Sequence, residues 1–299
     1  MTSSEWTADN LSSWAGRTVV VTGANSGLGL VTSRELARVG ARVVMAVRDV
    51  ARGEQAARSA PGEVEVRQLD LADLSSIRSF AADLTGDVDV LINNAGVMAI
   101  PQASTADGFE MQFGTNHLGH FALTNLLLPQ IIDRVVTVSS GEHRRGAMHF
   151  DDLNWKSGGY SPWAAYRQSK LANLLFTLEL QRRLTAAGST VRSLAAHPGY
   201  AATNLQSHSG KALTDAFMKV GNRVFAQSDE NGALPSLFAA SQDLPGASYV
   251  GPDRFMETRG HPALVGRTAA ASNVDDAKRL WTMSENLTGV TFGLAARTA

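Results

Sequence analysis

The sequence contains no cysteine, and neither sign of charge dominates it, since the formal net charge of its 299 residues is −1. The lack of cysteine excludes disulfide bonds, thiolate metal sites and cysteine nucleophiles. The balanced charge gives no general attraction to nucleic acid or to an anionic membrane, so we expect neither as a partner. There is also no run of about 18 apolar residues, the length from which a membrane-spanning helix is suspected.

Hydrophobic residues make up 44% of the chain and charged residues 18%, proportions that are typical of a folded globular protein. The first segment, residues 1–16, has neither the basic start nor the apolar core of a signal peptide or membrane anchor. We therefore expect a cytoplasmic protein that begins with a short N-terminal extension.

From residue 17 to residue 197, short runs rich in β-branched residues alternate with longer amphipathic stretches. This order is typical of a parallel sheet that is covered by helices on both faces. We therefore predict an α/β fold with a single Rossmann-type, doubly wound parallel sheet. The predicted strands are 17–23, 41–47, 63–69, 88–94, 133–140 and 190–197, and the predicted helices lie near 28–39, 50–59, 73–84, 107–129 and 163–187.

After His197 the alternation of strand and helix patterns is expected to stop. Residues 199–235 mix small polar residues with large apolar ones, which favours a segment that covers a substrate; a plain surface excursion is the alternative. The sequence GALPSLFAAS resumes a helical pattern, and a peripheral helix is predicted from about residue 273. Because no part of this region is long enough for a separate domain, we expect residues 17–299 to form one domain.

The first predicted strand runs into TGANSGLG, which opens the next helix. Glycine permits a tight turn and a close approach of the backbone to a pyrophosphate at a helix N-terminus. The spacing G-x3-G-x-G differs from the better-known G-x-G-x-x-G, and three glycines can also simply form a strand-to-helix turn. Their position favours dinucleotide binding, and the candidate contact residues are Gly23, Asn25, Ser26, Gly27, Leu28 and Gly29.

The end of the second predicted strand bears on which dinucleotide is bound. NAD-binding sites usually place an acidic residue there, against the ribose hydroxyls. This chain has Val47 followed by Arg48, and a guanidinium matches a phosphate in charge and geometry. We therefore predict NADP(H) as the cofactor, with Arg48 at the 2′-phosphate. The alternative is an arginine that only opens a loop in solvent.

Further candidates for cofactor contact follow the next two predicted strands. Asp70 and Leu71 follow the third strand, and Asn94, Ala95 and Gly96 follow the fourth. Ligands bind at the carboxyl ends of the strands in sheets of this kind. Small residues at these positions also suit ordinary loop turns.

Tyr166 and Lys170 lie four residues apart in AYRQSKLANLLF, so they share one face of the predicted helix. A phenol with a pKa of about 10 is a poor base near neutral pH. A nearby cation favours the phenolate, so Lys170 and an oxidised nicotinamide would together make Tyr166 a general acid/base for an alcohol. The simpler alternative is a surface tyrosine beside a solvated lysine.

Three other features accompany this pair. Ser140 ends VSS after the fifth predicted strand and could donate a hydrogen bond to a substrate oxygen. Asn116 lies in the middle of a predicted helix, where asparagine competes for backbone hydrogen bonds. Pro198 and Gly199, with Thr203, follow the sixth strand and could border the nicotinamide.

Together these motifs resemble the short-chain dehydrogenase/reductase family, over roughly residues 17–205 and in the family order. They are TGANSGLG, NNAG at 93–96, Asn116, VSS at 138–140, YRQSK at 166–170 and HPG at 197–199. AVRD, TNHLGHF, VSSGEH, DDLNW and KLANLLFTLEL further resemble the retinol-dehydrogenase-like and WW-domain-oxidoreductase-like branch.

The resemblance implies a role for each matching residue. Tyr166 would be the acid/base, Ser140 would hold the substrate carbonyl, and Lys170 would lower the pKa of Tyr166 and bind the nicotinamide ribose. Asn116 would support a water in the proton relay, and Asp70 and Asn94 would lie at the adenosine side of the cofactor. We thus expect an NADP(H)-dependent oxidoreductase that interconverts an apolar alcohol and its aldehyde or ketone by direct hydride transfer, with reduction as the direction in the cell.

Two departures from the family pattern bear on the substrate. The interval between Ser140 and Tyr166 is longer than in the shortest family members, which predicts an inserted loop with Trp155 and Trp163 beside the pocket. The apolar anchor with which many animal retinol dehydrogenases begin does not occur in this sequence, so retinoid specificity is not predicted.

Two other functions remain open: an NADP(H)-binding sensor or scaffold without turnover, and a sugar-nucleotide epimerase, which uses the same Tyr–Lys pair. The filled catalytic positions disfavour the first, and the short C-terminal region disfavours the second. His117 and His120 could suggest a metal pair, but no third ligand accompanies them, so we expect structural histidines and no metal site. Asp151 and Asp152 are interpreted as a solvated loop. Relatives often form homo-oligomers, which the resemblance leaves open here.

Overall fold

The structure, a computed structural model, describes residues 5–199 and 228–294. Within these residues, eight strands form one sheet in the order β3-β2-β1-β4-β5-β6-β7-β8. Neighbouring strands are parallel except β7 and β8, which pair antiparallel. The strands are β1 (Thr18–Thr22), β2 (Arg42–Val47), β3 (Val64–Gln68), β4 (Val88–Asn93), β5 (Ile131–Val138), β6 (Arg192–Ala196), β7 (Tyr249–Arg254) and β8 (Arg259–Leu264).

Helices follow the strands in alternation. One of them, preceding β5, is continuous but irregular, since an α-helical turn (Met111–Phe113) and a π-helical turn (Gly114–Leu118) lead into its regular part. The helices are α1 (Gly27–Arg38), α2 (Val50–Ala57), α3 (Leu74–Asp83), α4 (Gly119–Leu127), α5 (Pro162–Ala186), α6 (Asp229–Ser241) and α7 (Val274–Thr288). Among the described residues, short 3₁₀ helices lie at Ala8–Asn10, Gly141–Arg145 and Ala270–Ser272.

The core is divided by the sheet, because successive side chains of a strand point to opposite faces. In β1, Val19 and Val21 pack with residues of α1 and α6. Val20 points the other way and packs with residues of α3, α4 and α5. Both faces are therefore covered by helices, which confirms the predicted doubly wound fold.

The six predicted strands all occur, each within two residues of its expected bounds. The expected end of the alternation after His197 is wrong, however, because β7 and β8 extend the sheet. Their sequences, YVGPDR and RGHPAL, contain glycine and proline, which are depleted in strands and hide the strand pattern. Pro252 and Pro262 face each other across this antiparallel pair, at the edge of the sheet where proline is tolerated.

The predicted substrate-covering segment falls mainly on residues 200–227, which lie outside the described residues. From Asp229 onwards the chain forms α6, whose side chains Ala233 and Leu237 are completely buried against the sheet. The last part of that segment, 229–235, is therefore part of a core helix and does not form a cover. In the part of the chain that is described, no helix has the length and apolar character required to cross a membrane.

The predicted C-terminal helix is confirmed as α7, and it is anchored by Trp281. This side chain is 1% exposed and stacks on Phe176 of α5, with a ring-centroid distance of 5.8 Å. It also meets Phe121 of α4 edge to face at 4.9 Å. Such aromatic pairs add to the stabilisation that comes from burial alone.

We predict that Trp281→Ala lowers the free energy of unfolding by about 3–5 kcal/mol, because it leaves a large cavity between three helices. Trp163→Ala is the matched control, since Trp163 is 41% exposed and a surface truncation typically changes stability by about 0.5 kcal/mol or less. Denaturant unfolding followed by circular dichroism measures both. Equal losses in the two variants would contradict the anchoring role of Trp281.

Candidate active site

The carboxyl ends of β1, β4, β5 and β6 meet at one edge of the sheet. The strand order reverses between β1 and β4, which makes this the topological switch point where ligands bind in doubly wound sheets. Gly23 follows β1, Asn94 follows β4, Ser140 lies just beyond β5 and Pro198 just beyond β6. Most of the residues predicted from sequence are therefore brought to one edge.

The glycines of TGANSGLG allow the turns after β1 and β4 to touch. Gly23 and Gly27 adopt positive φ angles of 65° and 53°, which favour glycine. A Cβ atom at Gly23 would lie 2.9 Å from the Cβ atom of Ala95. A Cβ atom at Gly29 would lie 2.5 Å from both the Gly23 carbonyl oxygen and the Asn94 Nδ2 atom. There is thus no room for side chains at these two glycines.

Thr22, which the sequence analysis missed, ties the same two turns together. Its Oγ1 atom accepts hydrogen bonds from the backbone N–H groups of Asn94 and Ala95, both at 2.9 Å. Asn94 Nδ2 donates in return to the Thr22 carbonyl oxygen at 2.8 Å. The position of Thr22 directly before Gly23 was the available signal.

The first turn of α1 points into this edge and is open. Ser26 precedes the helix, but no described side chain caps the N–H groups of its first turn. Ser26 is exposed, Asn25 is half-buried and Leu28 is buried. Free N–H groups and the helix dipole together favour an anion at this position.

Arg48 lies immediately after β2 and is exposed. It makes no hydrogen bond or ion pair with any other residue among 5–199 and 228–294. The next residue, Asp49, is the N-cap of α2: its side chain accepts from the Arg52 N–H at 3.0 Å. The carboxylate adjacent in sequence is thus engaged in capping, while the guanidinium has no partner among the described residues.

Asp70 and Leu71 form the turn after β3. Asp70 Oδ1 accepts from the Ala72 N–H at 2.9 Å, and the Asp70 N–H donates to Ser76 Oγ at 3.0 Å. Leu71 is 7% exposed and packs closely against Gly119. Both are held mainly by local structure, so any contact with a cofactor would be made from a preformed turn.

Tyr166 and Lys170 share one face of α5, as predicted, and both are buried, with 7% and 4% exposure. The Lys170 Nζ atom donates to the Val138 carbonyl oxygen at 3.1 Å and lies 5.7 Å from the centre of the Tyr166 ring. The surface-tyrosine alternative is therefore wrong.

Burial moves the pKa values of this pair in opposite directions. It raises the pKa of Tyr166 to about 12; a hydrogen bond with the Ser140 side chain opposes this, and the Glu142 charge adds to it. Burial also lowers the pKa of Lys170 to about 8. The lowered Tyr166 pKa expected from the sequence is not found in the chain by itself. The reason is that desolvation of the phenolate outweighs the stabilisation that the Ser140 side chain gives it.

Asn116 is completely buried in the π-helical turn, a feature that is frequent at functional sites. Its Oδ1 atom accepts from the Val97 N–H at 2.8 Å, and its Nδ2 atom donates to the Val97 carbonyl oxygen at 2.9 Å. The same Nδ2 atom lies 2.9 Å from Ser169 Oγ. Its side chain therefore binds the segment that follows Gly96, while the main-chain carbonyl of Asn116 is turned towards His120 at 3.0 Å.

Ser140 begins the 3₁₀ helix Gly141–Arg145, since its Oγ atom accepts from the Glu142 N–H at 3.2 Å. His143 Nδ1 lies 2.7 Å from the Ser140 carbonyl oxygen. After β6, Gly199 has a φ of 70° and donates its N–H to His197 Nδ1 at 3.2 Å. Thr203 lies outside the described residues.

Glu257, in the turn between β7 and β8, is a second residue that the sequence analysis missed. Its carboxylate accepts from Arg144 Nη2 at 2.7 Å and lies 3.3 Å from His197 Nε2. The neighbouring His197 ring and the hydrogen-bonded, charged Arg144 lower the pKa of Glu257 to about 2. It thus connects the segments after β5 and β6, and no local pattern in DRFMETRG could reveal this.

Of the two tryptophans predicted on an inserted loop beside the pocket, Trp155 lies in the loop between Ser140 and α5, whereas Trp163 lies in the first turn of α5 itself. Trp163 meets the Tyr166 ring edge to face at 6.0 Å and remains 41% exposed. Trp155 packs on Tyr160 further away, with a centroid distance of 6.0 Å. Of the two predicted tryptophans, only Trp163 is therefore in contact with a catalytic candidate.

The other weighed candidates have structural roles. His117 Nε2 lies 2.9 Å from Ser284 Oγ, and His120 Nε2 lies 2.9 Å from Thr22 Oγ1. Asp152 accepts from two backbone N–H groups of its own loop. Among residues 5–199 and 228–294, no group of three histidine or acidic side chains is placed to hold a metal ion.

An uncapped helix N-terminus, two glycine-lined turns and a buried Tyr–Lys pair thus lie together at a topological switch point, where ligands bind in sheets of this kind. A sequence model described as short chain dehydrogenase matches residues 17–214. The chain belongs to the short-chain dehydrogenase family. Its members act on alcohol and carbonyl groups with a nicotinamide dinucleotide, and this chain is an oxidoreductase of that class.

Similar proteins are found both among curated sequences and among solved structures. Human (Homo sapiens) retinol dehydrogenase 13 is 44% identical over 291 residues, which cover 92% of this chain and 85% of that protein. The crystal structure of an uncharacterised protein from Mycobacterium paratuberculosis has a TM-score of 0.85 and 60% identity, over 97% of this chain and 99% of that one. A structure described as an NAD(P)-dependent gluconate 5-dehydrogenase from Beutenbergia cavernae, with NADP bound, has a TM-score of 0.57 and 29% identity. The match covers 77% of this chain and 91% of that one.

We predict that Gly29→Ala weakens dinucleotide binding at least about tenfold, because the added methyl group forces apart the turns after β1 and β4. Gly266→Ala is the matched control, since a Cβ atom there meets nothing within 4 Å. Titration of NADPH, followed by quenching of protein fluorescence, measures both dissociation constants. Unchanged binding in Gly29→Ala would show that the contact between the turns does not form the binding site.

Proposed function

We propose that the chain is an NADP(H)-dependent oxidoreductase that interconverts an apolar alcohol and its aldehyde or ketone, with Tyr166 as general acid/base. The observation that carries the proposal is the buried Tyr166 side chain, with Lys170 on the same helix face and its Nζ atom 5.7 Å from the Tyr166 ring. This group lies at the sheet edge where the glycine turns meet, so a proton donor stands beside the expected cofactor site.

The residues at this edge fit NADP(H). The uncapped N-terminus of α1 and the turns at Gly23 and Gly29 would hold the pyrophosphate, and the exposed guanidinium of Arg48, unpaired among the described residues, would pair with the 2′-phosphate. Asp70 and Leu71, with Asn94, would line the adenosine side. When bound, the nicotinamide supplies or accepts the hydride.

The protonation states of the chain suit reduction of a carbonyl. With its pKa raised to about 12, Tyr166 is a neutral phenol near pH 7 and can donate its proton to the substrate oxygen. Ser140 would donate a hydrogen bond to the same oxygen as negative charge develops on it. Oxidation of an alcohol requires Tyr166 as phenolate, which only an additional positive charge near the phenol would favour.

Two observations favour an apolar substrate. The exposed indole of Trp163 lies beside Tyr166, where it offers an apolar surface to a bound molecule. The similarity to a retinol dehydrogenase points to a long apolar alcohol or aldehyde. We therefore place medium- and long-chain aldehydes first, before sugars and acids, in a panel of carbonyl compounds.

We predict that Tyr166→Phe lowers turnover by about 10²- to 10⁴-fold, because the phenylalanine ring has no proton to transfer. NADPH binding is expected to persist in this variant. Tyr160→Phe is the matched control: the Tyr160 hydroxyl accepts from Gln112 Nε2 and lies within hydrogen-bond distance of Glu110 and the Ile100 carbonyl oxygen, none of them a catalytic candidate, so turnover is expected to remain.

Consumption of NADPH with the carbonyl panel tests this directly. If the wild type binds NADPH but reduces no compound, or if Tyr166→Phe retains full turnover, the proposed reaction is wrong. The first of these results would favour the sensor or scaffold function. Isomerised product without net use of cofactor would instead identify an epimerase.

We predict that Arg48→Gln lowers kcat/KM for NADPH by about 10- to 100-fold and leaves that for NADH nearly unchanged. A hydrogen bond to a charged group contributes about 1.5–3 kcal/mol, which sets this range. Arg52→Gln is the matched control, because Arg52 is also exposed but pairs with Asp49 at 3.4 Å. Equal use of NADH and NADPH by the wild type would refute the role of Arg48.

A further inference from the structure

His120 is a completely buried histidine whose two ring nitrogens both reach the candidate active site. Its Nε2 atom lies 2.9 Å from Thr22 Oγ1, and its Nδ1 atom lies 3.0 Å from the Asn116 carbonyl oxygen. The ring is 1% exposed. Thr22 is 98 positions away in sequence, so the fold alone brings the two together.

The chemistry of the partners fixes the proton positions. A carbonyl oxygen can only accept, so His120 Nδ1 carries a proton and donates it to the hydrogen bond with Asn116. Burial lowers the pKa of His120 to about 4, so the ring is neutral near pH 7 and its Nε2 atom is an acceptor. The Thr22 hydroxyl group then donates its one proton to Nε2 at 2.9 Å, since its other possible acceptor, the Ile92 carbonyl oxygen, lies farther away at 3.4 Å.

The Thr22 hydroxyl oxygen also accepts two hydrogen bonds from the turn after β4. It accepts from the N–H groups of Asn94 and Ala95, so its donor and both acceptor positions are used. One directed chain of hydrogen bonds therefore runs from the turn after β4, through Thr22 and His120, to the Asn116 carbonyl oxygen in the π-helical turn. Every member of this chain has its hydrogen-bonding capacity matched.

We propose that His120 is a positioning residue that sets the turn at Asn94–Ala95 and the direction of the Asn116 carbonyl group together. The turn belongs to the proposed cofactor site, and Asn116 to the proposed proton relay. His120, a single neutral side chain, thus fixes the position of this turn relative to the Asn116 carbonyl group across the switch point. The kinetic part of this inference rests on the proposed function, whereas the effect on the turn does not.

His117 provides a matched comparison within the same continuous helix. It is equally buried, and burial likewise lowers its pKa, to about 3. Its Nε2 atom, however, lies 2.9 Å from Ser284 Oγ of α7, and its ring packs on Phe113 at 5.1 Å. Truncation of either histidine damages the core, but only the loss of His120 reaches Thr22 and Asn116.

Two substitutions at His120 distinguish its hydrogen bond with Thr22 from its hydrogen bond with Asn116. His120→Phe removes both hydrogen bonds while keeping the ring volume. His120→Asn keeps a donor for the Asn116 carbonyl oxygen, since asparagine in this helix can bond the carbonyl four residues earlier, as Asn125 does with Phe121 at 2.9 Å. The shorter asparagine cannot also replace the bond to Thr22. His117→Phe is the control for lost core packing.

The first readout is amide hydrogen exchange of the chain without ligand. We expect Asn94 and Ala95 to exchange about tenfold faster in both His120 variants, relative to Leu91 and Ile92 of β4, and to be unchanged by His117→Phe. The second readout is kcat with NADPH and a carbonyl substrate. We expect a loss of about tenfold or more in His120→Phe and rescue to within about threefold of wild type in His120→Asn.

Unchanged exchange at Asn94 and Ala95 in both His120 variants would overturn the inference, as would equal effects of His120→Phe and His117→Phe. Equal loss of kcat in His120→Phe and His120→Asn would also overturn it, because the restored donor would then have no effect. If the wild type turns over no carbonyl, the proposed function fails, and the exchange measurement alone decides the role of His120.

Discussion

The hydroxyl group of Thr22 holds together the two turns on which the candidate site is built. It accepts the N–H groups of Asn94 and Ala95, and Asn94 bonds back to the Thr22 carbonyl oxygen. This contact closes the sheet edge where the strand order reverses, and it explains why Gly23 and Gly29 have no room for a side chain. The open N-terminus of α1 and the buried face of α5 are placed relative to this closed edge.

Burial determines the protonation states of the Tyr166–Lys170 pair. Tyr166 and Lys170 are both removed from water, and desolvation disfavours the charged form of each. Lys170 retains a hydrogen bond to the Val138 carbonyl oxygen, which also accepts from Asn173. The chain alone therefore stabilises a neutral phenol. An additional positive charge near the phenol would favour the phenolate, and in the proposed function an oxidised nicotinamide would supply it.

A second set of contacts supports the far side of the site. Phe255, Met256 and Glu257 have φ angles of 51°, 55° and 63°, and backbone of this kind persists only where the surroundings hold it. Here the Glu257 carboxylate is held by Arg144, which follows Ser140, and by His197, which precedes Pro198. The hairpin of β7 and β8 thus braces the two segments that border the expected nicotinamide position.

The sequence by itself determined the order of strands and helices, the glycine turn after β1, and the Tyr–Lys pair on one helix face. These are local properties: β-branched runs, helical spacing and turn residues act over a few positions. The strands β7 and β8 were not predicted, because Gly251, Pro252 and Pro262 weaken the local strand pattern. In the folded protein, pairing with neighbouring strands outweighs this weak local preference.

Only the tertiary structure decided which side chains meet: His120 with Thr22 and Asn116, and Glu257 with Arg144 and His197. It also decided that the pKa of Tyr166 rises in the chain alone. The physical reason is that hydrogen-bond partners far apart in sequence, and the extent to which each group is removed from water, depend on how all the elements pack.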